Sequence, residues 1–181
     1  MRIAINQPYL FAYKGYFDLI ASVDKFVVAD NYKWIKGGWI NRNFFPKLFT
    51  FRVEKHPDHA LISECYYKDL KADYKRFPIH TKLTDRIFSL MQPTYSVAYN
   101  NTIAIKEICK ELGIKTEFFL ASTINHGTKW QGVLDIVWAL GGDTYVNPCG
   151  GHKLYDQKDF GGVKLEFMPD ESPRHSILLD I

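Results

Sequence analysis

Cysteine is scarce. Cys65, Cys109 and Cys149 are three in 181 residues, odd in number and far apart. That count excludes a closed disulfide framework and no zinc-ligand spacing accompanies it, so free thiols in a reducing cytoplasm are expected. Long apolar runs are missing as well. No stretch approaches the roughly 18 residues that span a bilayer, and the N-terminus lacks the basic region and apolar core of a signal peptide. Charge of one sign is also in short supply. A formal net charge of +3 accommodates phosphorylated ligands but is too sparse for a groove that tracks a nucleic-acid backbone. Neither a Walker loop nor a GxGxxG fingerprint occurs, and no signature of ATP or coenzyme A binding is present.

What is present is a large apolar and aromatic fraction, 46% and 15% of the chain, enough for a sizeable core. The spacing of Tyr16, Leu19, Ile20 and Val23 predicts an amphipathic helix between apolar strands at Arg2 to Ile5 and Lys25 to Ala29. Further strands are expected at Thr116 to Leu120, Thr144 to Val146 and, as an edge, Val163 to Phe167. Helices are expected around Leu83 to Met91, from Asn101 to Leu112 with Gly113 as cap, and over Val133 to Leu140 before Gly141 and Gly142. Lys47 to Val53 alternates like a strand. Strand and helix in alternation predict one α/β domain over residues 1–181. Its sheet is mostly parallel with helices on both faces, in the Rossmann manner, and residues 31–78 form an aromatic and basic insertion after the second strand.

In such sheets ligands sit beyond the carboxyl ends of the strands. Gln7 and Tyr9 follow the first strand, Asp30 and Asn31 the second, Ser122 to His126 the next, and Asn147 to His152 the strand at Tyr145. These clusters are candidates for one shared rim; the plain alternative is that loops are polar and Asn, Pro and Gly form turns. His126 is a candidate general base because imidazole titrates near neutrality. In "NPCGGHKLYD" the Gly150-Gly151 amides could approach an anion, with His152 and Tyr155 close by; a tight turn explains the same residues. Cys149 with His152 forms an incomplete nucleophile and base pair, and His56 and His59 read as loop residues beside Pro57. "WIKGGWINRNFFPK" joins Trp34 and Trp39 to Asn41, Asn43 and the cations Lys36, Arg42 and Lys47. Those groups suit a nucleotide sugar, and equally a hairpin with aromatic cross-strand pairs.

"IAINQPYLFAYKGYFDLIASVDKFVVAD" followed by "GGWINRN" resembles the WbqC-like protein family, and "YKDLKADY", "LGIKTEFFLAST", "LGGDTYVNPCGG" and "HSILLDI" are similar to its later blocks. Gln7, Pro8, Tyr9, Gly15, Tyr16 and Phe17 match the opening motif, Asp30 the acidic end of strand two, and Trp39, Asn41, Arg42 and Asn43 the second motif. Gly150, Gly151 and Tyr155 match the late glycine block. Ala12 and Tyr13 stand where the family usually has Pro and Trp, and Pro169 to His175 replaces a longer aromatic segment. The resemblance implies an acyl or aminoacyl transferase, glycyl transfer included, that forms an amide on a nucleotide-linked amino sugar for O-antigen and related surface polysaccharides. His126 or Asp30 would be the base, and Arg42 and Lys47 would clamp phosphate. Gln7, Asn41 and the Gly150-Gly151 amides would orient the substrate, while Trp39 and Tyr9 stack on it. Ser122, Asn147, His152 and Tyr155 complete the rim. The expected partners are the nucleotide sugar and an acyl donor such as an aminoacyl-tRNA or acyl-CoA, with no metal or other cofactor. A non-catalytic sugar-binding module and a scaffold of a polysaccharide assembly complex stay open, as does the oligomeric state.

Overall fold

The computed structural model describes residues 1–169 and 175–181. The chain divides into two compact units. The first takes residues 1–6, 15–29 and 115–169; the second takes residues 7–14, 30–114 and 175–181.

The first unit is a five-stranded parallel sheet. Strands β1 (Arg2–Asn6), β2 (Lys25–Val28), β5 (Glu117–Leu120), β6 (Thr144–Asn147) and β7 (Lys164–Phe167) lie in the order β5-β2-β1-β6-β7. The strands expected near residues 2, 25, 116 and 144 are thus parallel neighbours, and the segment expected at an edge is one. Burial follows position in the sheet. Ile3, Ala4 and Ile5 are buried as an unbroken run, as a central parallel strand requires, whereas β5 and β7 at the margins are only half-buried.

Helices cover both faces. Ala4 is in register with Phe26, and Phe26 meets the ring of Tyr16 from helix α1 (Lys14–Ala21) at 5.6 Å. Ile3 points the other way by strand alternation, and there Gly142 brings Ile3 against Val137 of helix α5 (Lys129–Ala139). The chain builds outward from β1 through β2 to β5, then crosses back to β6 and β7. Right-handed crossovers therefore put α1 and α5 on opposite faces and make the β1–β6 boundary the switch point of the sheet. The helix expected from Tyr16 to Val23 stops at Ala21; Val23 is buried just beyond it.

The second unit obeys different rules. It holds a short antiparallel hairpin, β3 (Arg42–Phe44) with β4 (Leu48–Thr50), and helices α2 (Leu70–Arg76), α3 (Lys82–Leu90) and α4 (Val97–Glu111). Its core is a ring cluster. Phe11 packs on Phe45, Phe51, Phe77 and Phe88 at centroid distances of 5.2–6.1 Å. Phe11 holds φ at 51°, a left-handed conformation that costs a bulky residue roughly 1–2 kcal/mol, and burial of its ring in this cluster offsets that strain. Beside the rings, the fully buried carboxylate of Asp73 accepts bonds from the amide and Nε of Arg52 and from Arg76.

Several expectations change here. Helix α2, capped by the Asp69 side chain on the amide of Ala72, had no apolar periodicity to betray it. Helix α4 starts at Val97 behind a Ser96 cap, four residues before the expected Asn101, and ends at Glu111, with Gly113 just past its Leu112 cap at a φ of 70°. The strand read over Lys47 to Val53 shrinks to Leu48–Thr50, and only an isolated bridge to Tyr67 survives at Val53. The chain between β2 and β5 contributes residues 30–114 to this unit, well past residue 78. Of the replaced tail segment, residues 170–174 lie outside the described residues.

Candidate functional site

Two of the sequence motifs meet in the second unit. Tyr9, Ala12 and Tyr13 from the opening segment and Trp39, Asn43 and Phe44 from the later motif line a cavity of about 190 Å³. Its walls are aromatic. Trp39 and Phe44 are 45% and 40% exposed and face each other at 5.9 Å, a large apolar surface left open to solvent.

The frame that holds these rings is made of amide side chains. Asn101 of α4 is fully buried and donates to the carbonyls of both Pro8 and Ile40 at 2.8 Å, while its oxygen accepts from the Tyr67 hydroxyl at 2.6 Å. Ile40 also accepts from the Leu10 amide. One side chain therefore ties the two motifs together. Asn43 is buried, donates to the Phe11 carbonyl at 2.9 Å and accepts from the Phe44 amide. Asn41 donates to the Phe51 carbonyl at 2.7 Å. Residues 175–181 close the back: the amide of Ser176 reaches the Phe44 carbonyl and that of Ile177 the Ala12 carbonyl.

Arg42 serves the same frame. Its Nε donates to the Gly38 carbonyl at 2.9 Å, Nη2 reaches the Gly37 carbonyl, and the guanidinium lies 5.4 Å from the Trp39 ring. Its contact with Trp39 makes it a support of the pocket wall. Lys47 is exposed at the turn of the hairpin. Tyr9 is largely enclosed; burial, helped by neighbouring Tyr13, raises its hydroxyl above the ordinary phenol range. It stays protonated at neutral pH and acts as a hydrogen-bonding group. Asp30 is buried and its carbonyl accepts from the Ser63 amide; Gln7 reaches only weakly to the Lys33 carbonyl, at 3.5 Å.

The other predicted residues belong to the first unit. Ser122 sits in a single 3₁₀ turn after β5, exposed. His126 is half-buried, with Nδ1 at 2.7 Å from the Gly127 carbonyl. Asn147 ends β6 and accepts from the Tyr145 hydroxyl at 3.2 Å. Gly151 lies directly over it: a Cβ there would stand 1.6 Å from the Asn147 amide nitrogen. Glycine is required at 151 by that close approach, and the Cys149–Lys153 segment winds into a 3₁₀ helix with Gly150 exposed. His152 stacks on Phe167 at 3.7 Å. Tyr155 packs edge-on to Tyr145 and Phe160, and burial raises its hydroxyl pKa.

The three thiols are unpaired with one another. Burial pushes Cys65 up to about 11 and Cys109 up to about 12, so neither supplies a thiolate at neutral pH. Among the described residues no cluster of His, Cys, Asp or Glu could hold a metal ion, and no helix is long and apolar enough to cross a membrane.

Of the residues lining this cavity, Tyr9, Trp39 and Asn43 are candidates named from the sequence and Ala12 and Tyr13 are its departures from the resembled motif, whereas Phe44 and the Asn101 that positions the frame were not singled out. Nothing local marks Asn101, which acts 93 residues away from Pro8.

The chain is 45% identical over 42 residues to the uncharacterized protein Rv1507c of Mycobacterium tuberculosis, a match that covers 23% of this chain and 18% of that protein. No solved structure matches the chain. The model of the WbqC-like protein family matches residues 7–176, nearly the whole length, and the chain belongs to that family.

Proposed function

We propose that the chain binds an amino sugar carried on a nucleotide diphosphate and forms an amide on its amine, in the biosynthesis of surface polysaccharide. The observation that carries the sugar half is the cavity of Tyr9, Tyr13, Trp39, Asn43 and Phe44. Exposed rings offer flat surfaces to the C–H face of a pyranose, and the phenol hydroxyls offer bonds to its hydroxyls. At about 190 Å³ the cavity falls below the roughly 300–1,000 Å³ that holds a drug-sized ligand, so it suits one ring with the nucleotide outside it. Lys47, exposed on the hairpin that carries Asn43 and Phe44, remains a partner for the diphosphate. Ala12 and Tyr13, where the chain departs from the resembled opening motif, both line the cavity and would set which sugar enters.

In the transfer step the amine lone pair attacks the acyl carbonyl, a base takes the ammonium proton, and the thiol of a coenzyme or the ribose hydroxyl of a tRNA leaves. Asp30 and His126 are the candidate bases. A second reading, binding without turnover, is favoured by one fact: no side chain lining the cavity titrates near neutrality.

Calorimetry with a uridine-diphosphate amino sugar, followed by mass spectrometry after adding acyl-CoA or aminoacyl-tRNA, separates the readings. Trp39→Ala is expected to weaken binding about tenfold, near 1.4 kcal/mol, as loss of one stacking wall implies. Asp30→Asn or His126→Gln is expected to bind and lose the acylated product. Full affinity in Trp39→Ala would sink the sugar assignment; binding with no product from any donor would leave the non-catalytic module. A chain that binds no sugar but captures polysaccharide-assembly proteins through Trp39 and Phe44 would be a scaffold.

A further inference from the structure

The larger cavity of the second unit has no part in this reading. It encloses about 580 Å³ between α2 and α3, within the roughly 300–1,000 Å³ usual for small-molecule sites. Its floor is apolar, formed by Leu70, Phe88, Met91 and Pro93 with the ring of Tyr74. Tyr74 stacks on Phe88 at 4.1 Å, which joins the two rings into one wall.

Four charged side chains stand around it, and they divide by sign. Asp69 spends a carboxylate oxygen on the Ala72 amide at 2.9 Å, and Asp85 accepts the Tyr74 hydroxyl. Lys68 and Lys71, both exposed at the rim, form no ion pair among the described residues. Each carboxylate accepts one bond from within the fold, and both cations are left to solvent. A wholly apolar guest would leave the ammonium groups unused.

We infer that this cavity is a second binding site, for an amphipathic small molecule with an apolar or aromatic body and one anionic head. The body rests on Phe88, Tyr74 and Met91; the carboxylate, phosphate or sulfonate is held by Lys68 and Lys71. The site is independent of the sugar pocket. Phe11 and the rings around it lie between the two sites: Phe88 meets Phe11 at 5.8 Å, and the Phe11 carbonyl holds Asn43.

The probes are 8-anilinonaphthalene-1-sulfonate and its neutral counterpart N-phenyl-1-naphthylamine, titrated by fluorescence and calorimetry into the whole chain below its melting transition. The expected result is one-to-one binding with the sulfonate at least about tenfold tighter, roughly 1.4 kcal/mol. The Lys68→Ala, Lys71→Ala double variant should remove that preference and keep the neutral affinity. Both residues are exposed, so the fold should survive. Ser89→Trp, at another exposed lining position, should fill the cavity and abolish both affinities while Trp39→Ala changes neither. Sulfonate binding unchanged in the lysine double variant overturns the proposal. So does sulfonate binding lost in Trp39→Ala, or no one-to-one site at millimolar probe. If Ser89→Trp fails to fold, the lysine variant decides alone.

Discussion

The two units are built from different bonds. In the first, the backbone supplies the scaffold: four parallel ladders join Ile3 to Lys25 and Tyr145, Phe26 to Phe118, and Val146 to Glu166, and aliphatic and aromatic side chains fill both faces. In the second, β3 and β4 are three residues each, and side chains do the joining. Asn41, Asn43, Asn100 and Asn101 all donate to backbone carbonyls, and six phenylalanines share one cluster. The comparison teaches that a fold held by ladders spreads its stability over many equivalent bonds. One held by buried amides concentrates it in few.

The largest effect should therefore follow from a single amide. Asn101→Leu orphans the buried Tyr67 hydroxyl and the Pro8 carbonyl, while the Ile40 carbonyl keeps the Leu10 amide. At about 1–3 kcal/mol for each unsatisfied buried group, the loss should reach about 2–6 kcal/mol, and sugar binding should vanish with it. Chemical denaturation measures the first and calorimetry the second. A variant as stable as wild type would break the contrast between the units.

The corresponding test in the first unit is milder. Gly151→Ala forces the Asn147 side chain aside and strips its bond to Tyr145, at a cost of about 1–3 kcal/mol for an overpacked site. Adding Asn147→Ala removes the obstacle, so the double variant should recover part of the loss instead of summing the two. Strict additivity of the two losses in denaturation would mean that Gly151 and Asn147 are not coupled through this contact.

Legibility in the sequence follows the same divide. The sheet could be read from the apolar runs at Ile3, Phe26 and Val146 because a parallel strand needs only local composition to declare itself, and α5 from its 3.6-residue spacing. Helix α2 could not, since LKADYKR is polar around most of its circumference and depends on the Asp69 cap and on Asp73 pairing with Arg52. The motif residues Tyr9, Trp39 and Asn43 were recognisable as a group. What each does was not: Arg42 and Asn41 carry side chains suited to ligands but hold backbone carbonyls at Gly38 and Phe51. A side chain's partner is chosen by the fold, and composition cannot distinguish a carbonyl of the chain from an oxygen of a substrate.

The smallest expected effect compares two carboxylates, one in each unit. Glu107 of α4 is 8% exposed and pairs with Lys110 and with Arg86 at 2.9 Å; Glu166 of β7 is 27% exposed and pairs with Lys164 at 2.8 Å and Arg2 at 2.7 Å. Both pKa values are held below the ordinary 4.5, Glu107 first by Lys110 and then by Arg86, Glu166 first by Lys164 and then by Arg2. A depressed folded pKa means that the unfolded chain takes up its proton first as pH falls. The stabilisation is thus complete above the unfolded value near 4.5 and is lost as pH drops below it through the folded value. Their cationic partners are largely exposed, so each network contributes only about 0.2–1 kcal/mol after solvent screening. Glu107→Gln should cost the upper part of that range at pH 7 and Glu166→Gln the lower part, because the more buried carboxylate is screened less. Thermal melts from pH 7 to pH 3 should show each variant's deficit shrinking toward zero below pH 4.5, and added salt should reduce the Glu166 deficit more. If the Glu166 deficit proved larger, or stayed undiminished from pH 7 to pH 3, ion pairing would not be what these groups contribute.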